Sequence, residues 1–185
     1  EARATARRTI DAWLASGAEA IAINTSGCGT VVKDYGHLFA DDPAYAEKAA
    51  RVAAMACDIS ELISPDDLRA AGACAPRPLK LAYHAACSLQ HGQKILRQPK
   101  ELLAAAGFVP HDIPEGHICC GSAGTYNILQ PEFAVALRTR KLANIASLKA
   151  DAVTAGNIGC ITQIASGTAV PVVHMIELID WALGG

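Results

Sequence analysis

Seven cysteines stand in 185 residues, and four of them are spaced to do chemistry: Cys87, the adjacent pair Cys119 and Cys120, and Cys160. The odd count fits poorly with a secreted disulfide framework. Adjacent thiols fit it worse, because they can close only a strained ring with each other. Reduced thiols in a cytosolic protein point to metal binding or redox chemistry. Thirty-one residues separate Cys87 from Cys119, and thirty-nine separate Cys120 from Cys160. Chemistry shared among them depends on a fold that brings distant segments to one place.

The residues around these sulfurs suit a soft metal. Each cysteine of the set reads as lying at or near a helix N-terminus, where free N–H groups and partial positive charge favour thiolate over thiol. Gly121, Gly124 and Gly159 let the backbone approach an inorganic centre and donate N–H bonds to its sulfurs. Thiolate-rich sites select iron–sulfur clusters or zinc over hard cations. His84, three residues before Cys87, reads as a donor to a cluster sulfur or as a hydrogen-bonded packing histidine. His117 offers the same choice. Two plainer readings stand beside the cluster: buried small hydrophobes without metal, or a structural zinc, whose ligands usually come in closer pairs.

The remaining candidates are weaker. Cys28 reads either as a further metal ligand or as a strand-end residue. Cys57, in an Ala-rich stretch that reads as helix, belongs to a core, and Cys74 is a bystander in a linker. His37, His91, His111 and His174 read as surface or capping residues. The basic run from Arg138 to Lys141 reads as a solvated helix face.

Periodicity predicts the elements that position these residues. A helix is expected over 2–16, a buried strand over 18–24, and an Ala-rich helix over about 43–63 opened by Asp41-Asp42-Pro43. Residues 71–78 hold a Gly and two Pro and form the clearest linker. A strand over 79–84 follows, then a helix over about 89–106 stopped by Gly107. A short strand near 108–113, a long helix over about 131–148, a strand over 150–155 and a last strand and helix within 170–183 complete the chain. Strands separated by helices predict parallel α/β layers. The C-terminal ends of such strands share one edge, where ligands bind.

An internal repeat organises these elements. Residues 18–28 align with 150–160 at an offset of 132, with Ala18/Ala150, Ala20/Ala152, Gly27/Gly159 and Cys28/Cys160 identical. Farther on, residues 58–63 resemble 174–179. The predicted organisation is two related lobes about a pseudo-two-fold axis. Residues 1–70 form the C-terminal half of a first, truncated repeat, 71–78 the linker, and 79–185 a second, complete repeat. A counterpart of Cys119-Cys120-Gly121 falls about a dozen residues before Glu1 at this offset, and the chain has no initiator Met, so it reads as a fragment of a longer protein.

Composition narrows the class of function. Hydrophobic residues make up 51% and aromatics 5%, which describes a core of Ala, Val, Ile and Leu rather than a disordered chain. A net charge of -2, with acids and bases interspersed, gives no basic footprint for nucleic acid. No run of 18 apolar residues predicts a transmembrane segment, and the charged opening has no signal-peptide core.

At this point the motifs resemble a known family. Residues 79–185 are similar to the cysteine-rich CCG domain shared by heterodisulfide reductase, anaerobic glycerol-3-phosphate dehydrogenase and lactate-utilisation proteins. The pattern is a Cys, then Cys-Cys-Gly, then Cys-x-x-Cys, usually present twice. His84-Ala-Ala-Cys87, Cys119-Cys120-Gly121-Ser-Ala-Gly124 and Gly156-Asn-Ile-Gly-Cys160 resemble the C-terminal signatures of glycolate oxidase iron–sulfur subunits. The resemblance implies an iron–sulfur, electron-transfer subunit, not catalytic alone, working in a 2-hydroxy-acid dehydrogenase complex. Flavin-bearing partner subunits, which hold the FAD, oxidise glycolate to glyoxylate, and electrons leave toward a quinone or membrane acceptor. The setting it implies is the cytoplasm, peripheral to the inner membrane through those partners. The family's ferredoxin-like Cys-x2-Cys runs are not among these residues.

One departure stands out. Where the family has Cys-x-x-Cys, this chain has Asn157-x-x-Cys160, and Thr25-x-x-Cys28 in the first repeat. Cys87, Cys119, Cys120 and Cys160 suffice for an ordinary 4Fe–4S cluster, but are one short of the five thiolates that hold the unusual cluster of heterodisulfide reductase. Asn157 takes a place beside the ligands. Lactate or glycerol-3-phosphate oxidation and thiol–disulfide reduction remain alternatives, as does a docking module that binds no cluster.

Overall fold

In the computed structural model, which describes residues 1–185, the polypeptide divides after Leu62 into two α/β units. The first contains α1 (Ala2–Ala15), β1 (Ile21–Ile23), α2 (Ser26–Lys33), α3 (Tyr35–Leu38), α4 (Ala46–Met55), β2 (Ala56–Asp58) and α5 (Ile59–Leu62). β1 and β2 pair in parallel, with Ile21 opposite Ala56 and Ile23 opposite Asp58. Ile10, Phe39, Ala49 and Val52 are completely buried at its centre.

The single helix expected over 43–63 is interrupted. Helical propensity is high in this Ala-rich run, yet pairing with β1 pulls residues 56–58 into a strand. The return to helix has a local cause. The Asp58 carboxylate accepts from the Ser60 N–H at 3.0 Å, and Glu61 accepts from the Asp58 N–H at 2.8 Å. This reciprocal cap satisfies first-turn donors and opens α5. Cys57 accordingly lies on a strand, half-buried.

The second unit contains α6 (Pro65–Ala70), β3 (Lys80–His84), a π-helical turn (Ser88–Gln93), α7 (Gln98–Ala105), β4 (Val109–Asp112), α8 (Tyr126–Leu129), α9 (Pro131–Leu148), β5 (Ala152–Ala155), α10 (Ile158–Ala165), β6 (Val172–His174) and α11 (Met175–Ala182). Its sheet is wholly parallel in the order β4-β3-β5-β6. α6, placed in the first repeat by sequence, belongs here: Leu68 is buried among Leu81, Leu102 and Ile179.

The helix expected over 89–106 is two pieces. Lys94 takes a left-handed conformation (φ 62°) that ends the π-helical turn. Pro99 then sits in the first turn of α7, where its missing N–H costs nothing. Gly107, at φ 92°, follows the end of α7 as its spacing predicts.

Both faces of this sheet are covered. Leu81 and Tyr83 of β3 pack with Leu102 and Leu103 of α7 and Leu178 and Ile179 of α11. Ala82, the alternate residue, faces the other layer with Val153 of β5, Ile145 of α9 and Ile164 of α10. Period-two alternation thus assigns His84 to the layer that also buries Cys120 and Cys160. Each fully buried Leu or Ile contributes roughly 1.5–3 kcal/mol to holding these layers together.

Corresponding devices recur in the two units. α2 follows β1 as α10 follows β5, each after an extended N-cap residue, Thr25 or Asn157, and each carries a cysteine at its third position. His174 and Glu177 cap α11 as Asp58 and Glu61 cap α5. No helix is long and apolar enough to cross a membrane.

Candidate metal centre

The strand order explains why distant cysteines meet. From β3 the chain crosses to β4 on one side, and from β5 it crosses to β6 on the other. The crevice between the C-terminal ends of β3 and β5 is therefore a topological switch point, where loops diverge and leave room for a ligand. Cys87 lies three residues beyond the end of β3, and Cys160 is the third residue of the helix after β5. Cys119 and Cys120 arrive on the segment between β4 and α8.

There the thiols form an unbroken series. Cys87 lies against Cys119, Cys119 against Cys120, and Cys120 against Cys160, each close enough to perturb the ionisation of the next. Cys120 and Cys160 are buried, while Cys87 and Cys119 are half-buried. The protonation pattern alternates along the series. Bonds from Cys120 and Cys87 hold the Cys119 thiol far below its ordinary range. Donation to Cys119 pushes Cys87 and Cys120 up, aided by burial. Donation from Cys120, with help from His84 and Asn157, pulls Cys160 down to about 5 despite its burial. Four sulfurs that perturb one another's ionisation this strongly are a poor way to fill an apolar core.

Specific donors stabilise the low-lying sulfurs. The Gly121 N–H donates to the Cys119 sulfur at 3.3 Å, and the Asn157 side-chain amide donates to the Cys160 sulfur at 3.3 Å. Gly121 has φ 92°, and a Cβ there would run into the Ala134 carbonyl, so only glycine lets this loop lie against α9. A Cβ on Gly159 would approach the Ser122 hydroxyl to 2.8 Å, and glycine there lets α10 abut the same loop. Gly124 also has a positive φ, but a side chain there would meet nothing. It shapes the exposed turn and does not approach the sulfurs.

His84 ends β3 opposite Ala155 of β5 and is 2% exposed. It is near enough to Cys160 to help hold that thiol low. Yet neither ring nitrogen meets hydrogen-bond distance and angle with any partner. His117, which the sequence placed beside it as a candidate, is exposed; its carbonyl meets the His91 ring, and its side chain lies near Glu115.

The expectation that every cysteine of the set sits at a helix N-terminus holds for Cys87 and Cys160 but not for Cys119 and Cys120. Those two lie in an irregular loop held from outside. Arg140 pairs with the Glu115 carboxylate, Asn144 donates to Glu115 and to the Pro114 carbonyl at 2.9 Å, and Lys141 donates to the Glu115 carbonyl at 3.1 Å. Gln90 ties the loop to the β3 side by donating to the carbonyls of Ala85 (2.9 Å) and Gly116 (3.0 Å). Lys141 is the clearest correction to the sequence reading. Far from lying on a solvated face, it is 1% exposed. Burial lowers its pKa, while Cys120 and Cys119 are close enough to raise it. The helical spacing of 140, 141 and 144 was visible in sequence, but nothing there marked Glu115 as their common partner.

Cys28 belongs to the first unit, is exposed on α2, and is not one of the four sulfurs that gather in the second. Cys74 is exposed in the linker, as expected. The donor set that does gather fits an iron–sulfur centre: four sulfurs in series, backbone and amide donors to two of them, and a buried imidazole beside Cys160. The nearest donor atoms of His84, Cys120 and Cys160 all lie within 4.8 Å of one another. Cys87, Cys119, Cys120 and Cys160 would hold such a group, with His84 beside it.

Comparisons with known proteins point the same way. The chain is 41% identical over 183 residues to the glycolate oxidase iron–sulfur subunit of Escherichia coli strain K12, covering 97% of this chain and 44% of that protein. It is 28% identical to a probable glycolate oxidase iron–sulfur subunit of Bacillus subtilis strain 168, covering 97% of this chain and 42% of that protein. It is 27% identical to a lactate utilization protein of an Exiguobacterium species, covering 97% of this chain and 76% of that protein. The chain thus spans less than half the length of the two glycolate oxidase subunits. Residues 81–165, which carry all four gathered sulfurs and His84, match the CCG cysteine-rich domain family.

Proposed function

We propose that this chain is part of the electron-transfer iron–sulfur subunit of a glycolate oxidase complex, with Cys87, Cys119, Cys120 and Cys160 as its cluster ligands. The observation that carries the reading is the gathering of four sulfurs at the β3/β5 switch point, with an N–H donor on Cys119 and an amide donor on Cys160. When bound there, an iron–sulfur cluster supplies a one-electron carrier. Oxidation of glycolate to glyoxylate releases two electrons and two protons. That pair belongs to FAD in partner subunits, and the electrons pass on singly toward a quinone-type acceptor. The chain's own contribution is to hold the sulfurs, donate hydrogen bonds to them and restrict water around them.

Two further features support this role. Similarity to glycolate oxidase iron–sulfur subunits extends over 97% of the chain, including the first unit. Ile128, Leu129 and Phe133, on the segment after Cys120, are 75%, 70% and 62% exposed, which gives a partner subunit an apolar surface beside the site. The similarity to lactate utilization proteins favours, as a second reading, the same electron transfer from a different 2-hydroxy acid. Purification without oxygen tests the proposal. A brown protein with a broad visible band that dithionite bleaches and a quinone analogue restores is expected; a colourless protein after reconstitution with iron and sulfide contradicts it.

A further inference from the structure

We infer that His84 is itself a ligand of the metal centre, through a ring nitrogen, and takes the coordination place that a fifth cysteine would otherwise supply. The inference rests on the iron–sulfur reading above and deepens it.

Three observations converge. First, the imidazole is almost wholly buried, neither nitrogen makes a hydrogen bond of good geometry, and the sulfur of Cys160 is close enough to feel the ring. Removing a ring nitrogen from water without replacing its hydrogen bond is costly, and folded proteins rarely tolerate it unless the group has a use. Second, the nitrogen is aimed at the site, since it lies within 4.8 Å of both the Cys120 and Cys160 sulfurs, which also lie within that distance of each other. Donors around one tetrahedral metal, with metal–sulfur bonds near 2.3 Å and metal–nitrogen bonds near 2.0 Å, lie roughly 3.5–3.8 Å apart. The three donors thus already lie near the spacing of ligands about one centre. Third, the position that the Cys-x-x-Cys pattern would fill is Asn157, whose amide serves as a donor to Cys160 and supplies no thiolate.

The alternative role for His84, an N–H donor to the Cys160 sulfur, leaves the second ring nitrogen buried without a partner, whereas ligation gives the ring a use at the site. The backbone also favours ligation. His84 is the last residue of a central strand, fixed by pairing with β5, so its ring is pre-positioned at the switch point rather than carried on a mobile loop. A neutral imidazole in place of a thiolate also lowers the negative charge of the centre, and imidazole ligation raises the potential of iron–sulfur centres.

The test uses the reconstituted full chain with 15N-histidine. One state of any one-electron couple holds an odd number of electrons, so either the oxidised or the reduced protein is paramagnetic. Pulsed electron paramagnetic resonance on that state is expected to show a strongly coupled 14N nucleus that is replaced by 15N on labelling. His84→Cys is expected to retain iron, lose that coupling and move the midpoint potential to more negative values. Iron retained with no strongly coupled histidine nitrogen overturns ligation while leaving the cluster reading intact. A chain that takes up no iron at all overturns the cluster reading, and ligation with it.

Discussion

The Asn157 side-chain amide donates to the Cys160 sulfur at 3.3 Å, from the N-cap position of the helix that carries that cysteine. An N-cap asparagine would ordinarily turn back to its own helix; this one spends a donor on a sulfur. Loss of a hydrogen bond to a charged acceptor costs about 1.5–3 kcal/mol. Asn157→Ala should therefore raise the apparent pKa of Cys160 in the metal-free protein and slow its alkylation near neutral pH. An unchanged alkylation profile would show that Cys120 and His84 set the Cys160 ionisation without the amide.

The alternating protonation of the four sulfurs predicts how stability of the metal-free protein follows pH. Cys119 and Cys160 have folded pKa values below the ~8.5 of an unfolded thiol. Their contribution is present above ~8.5 and is lost as pH falls, through about 5 for Cys160. Cys87 and Cys120 have raised values, so their contribution is present below ~8.5 and is lost as pH rises beyond it. Unfolding midpoints in denaturant should rise from about pH 5 to about 8.5 and then decline. A flat profile over that interval would contradict the assignment of thiolates.

Gly121 and Gly124 should respond differently to alanine, although both have positive φ. At Gly121 the new Cβ meets the Ala134 backbone, which cannot move without shifting α9. A loss of about 3 kcal/mol or more is expected, within the range of severe point mutations. At Gly124 only the conformational term remains, about 1 kcal/mol. Thermal unfolding of the two variants checks the order, and equal effects would show that the loop does not depend on its contact with α9.

Much of this arrangement was legible in the residues. Alternating apolar residues located β3 and β5, Pro131 and the long periodic run located α9, and glycines beside cysteines marked the loops that meet. The rest depended on tertiary context. β2 was hidden because alanine favours helix wherever nothing competes, and here β1 competes. The break at Lys94 was hidden because a left-handed lysine leaves no mark on composition. Lys141 looked like one of three surface cations, since the sequence does not reveal that α9 turns this one residue inward toward Glu115. The burial of His84 beside Cys160 is likewise invisible until its neighbours are placed.

Lys141 yields a further prediction. Lys141→Met keeps much of the length of the side chain and its buried stem while removing the ammonium. The Glu115 carbonyl then loses its donor, and the protein should lose roughly 1–3 kcal/mol. Cys119 should also react faster with alkylating agents, because the loop that carries it is less firmly held. Wild-type reactivity and stability in this variant would mean that Arg140 and Asn144 hold the loop alone.

The central claim, that four sulfurs of the second unit share one iron–sulfur centre, is tested most directly by counting iron and acid-labile sulfide per chain after anaerobic reconstitution. Wild type and Cys57→Ser should bind equal amounts of both, and Cys120→Ser should bind neither. Equal iron in all three proteins, or none in the wild type, would contradict the account.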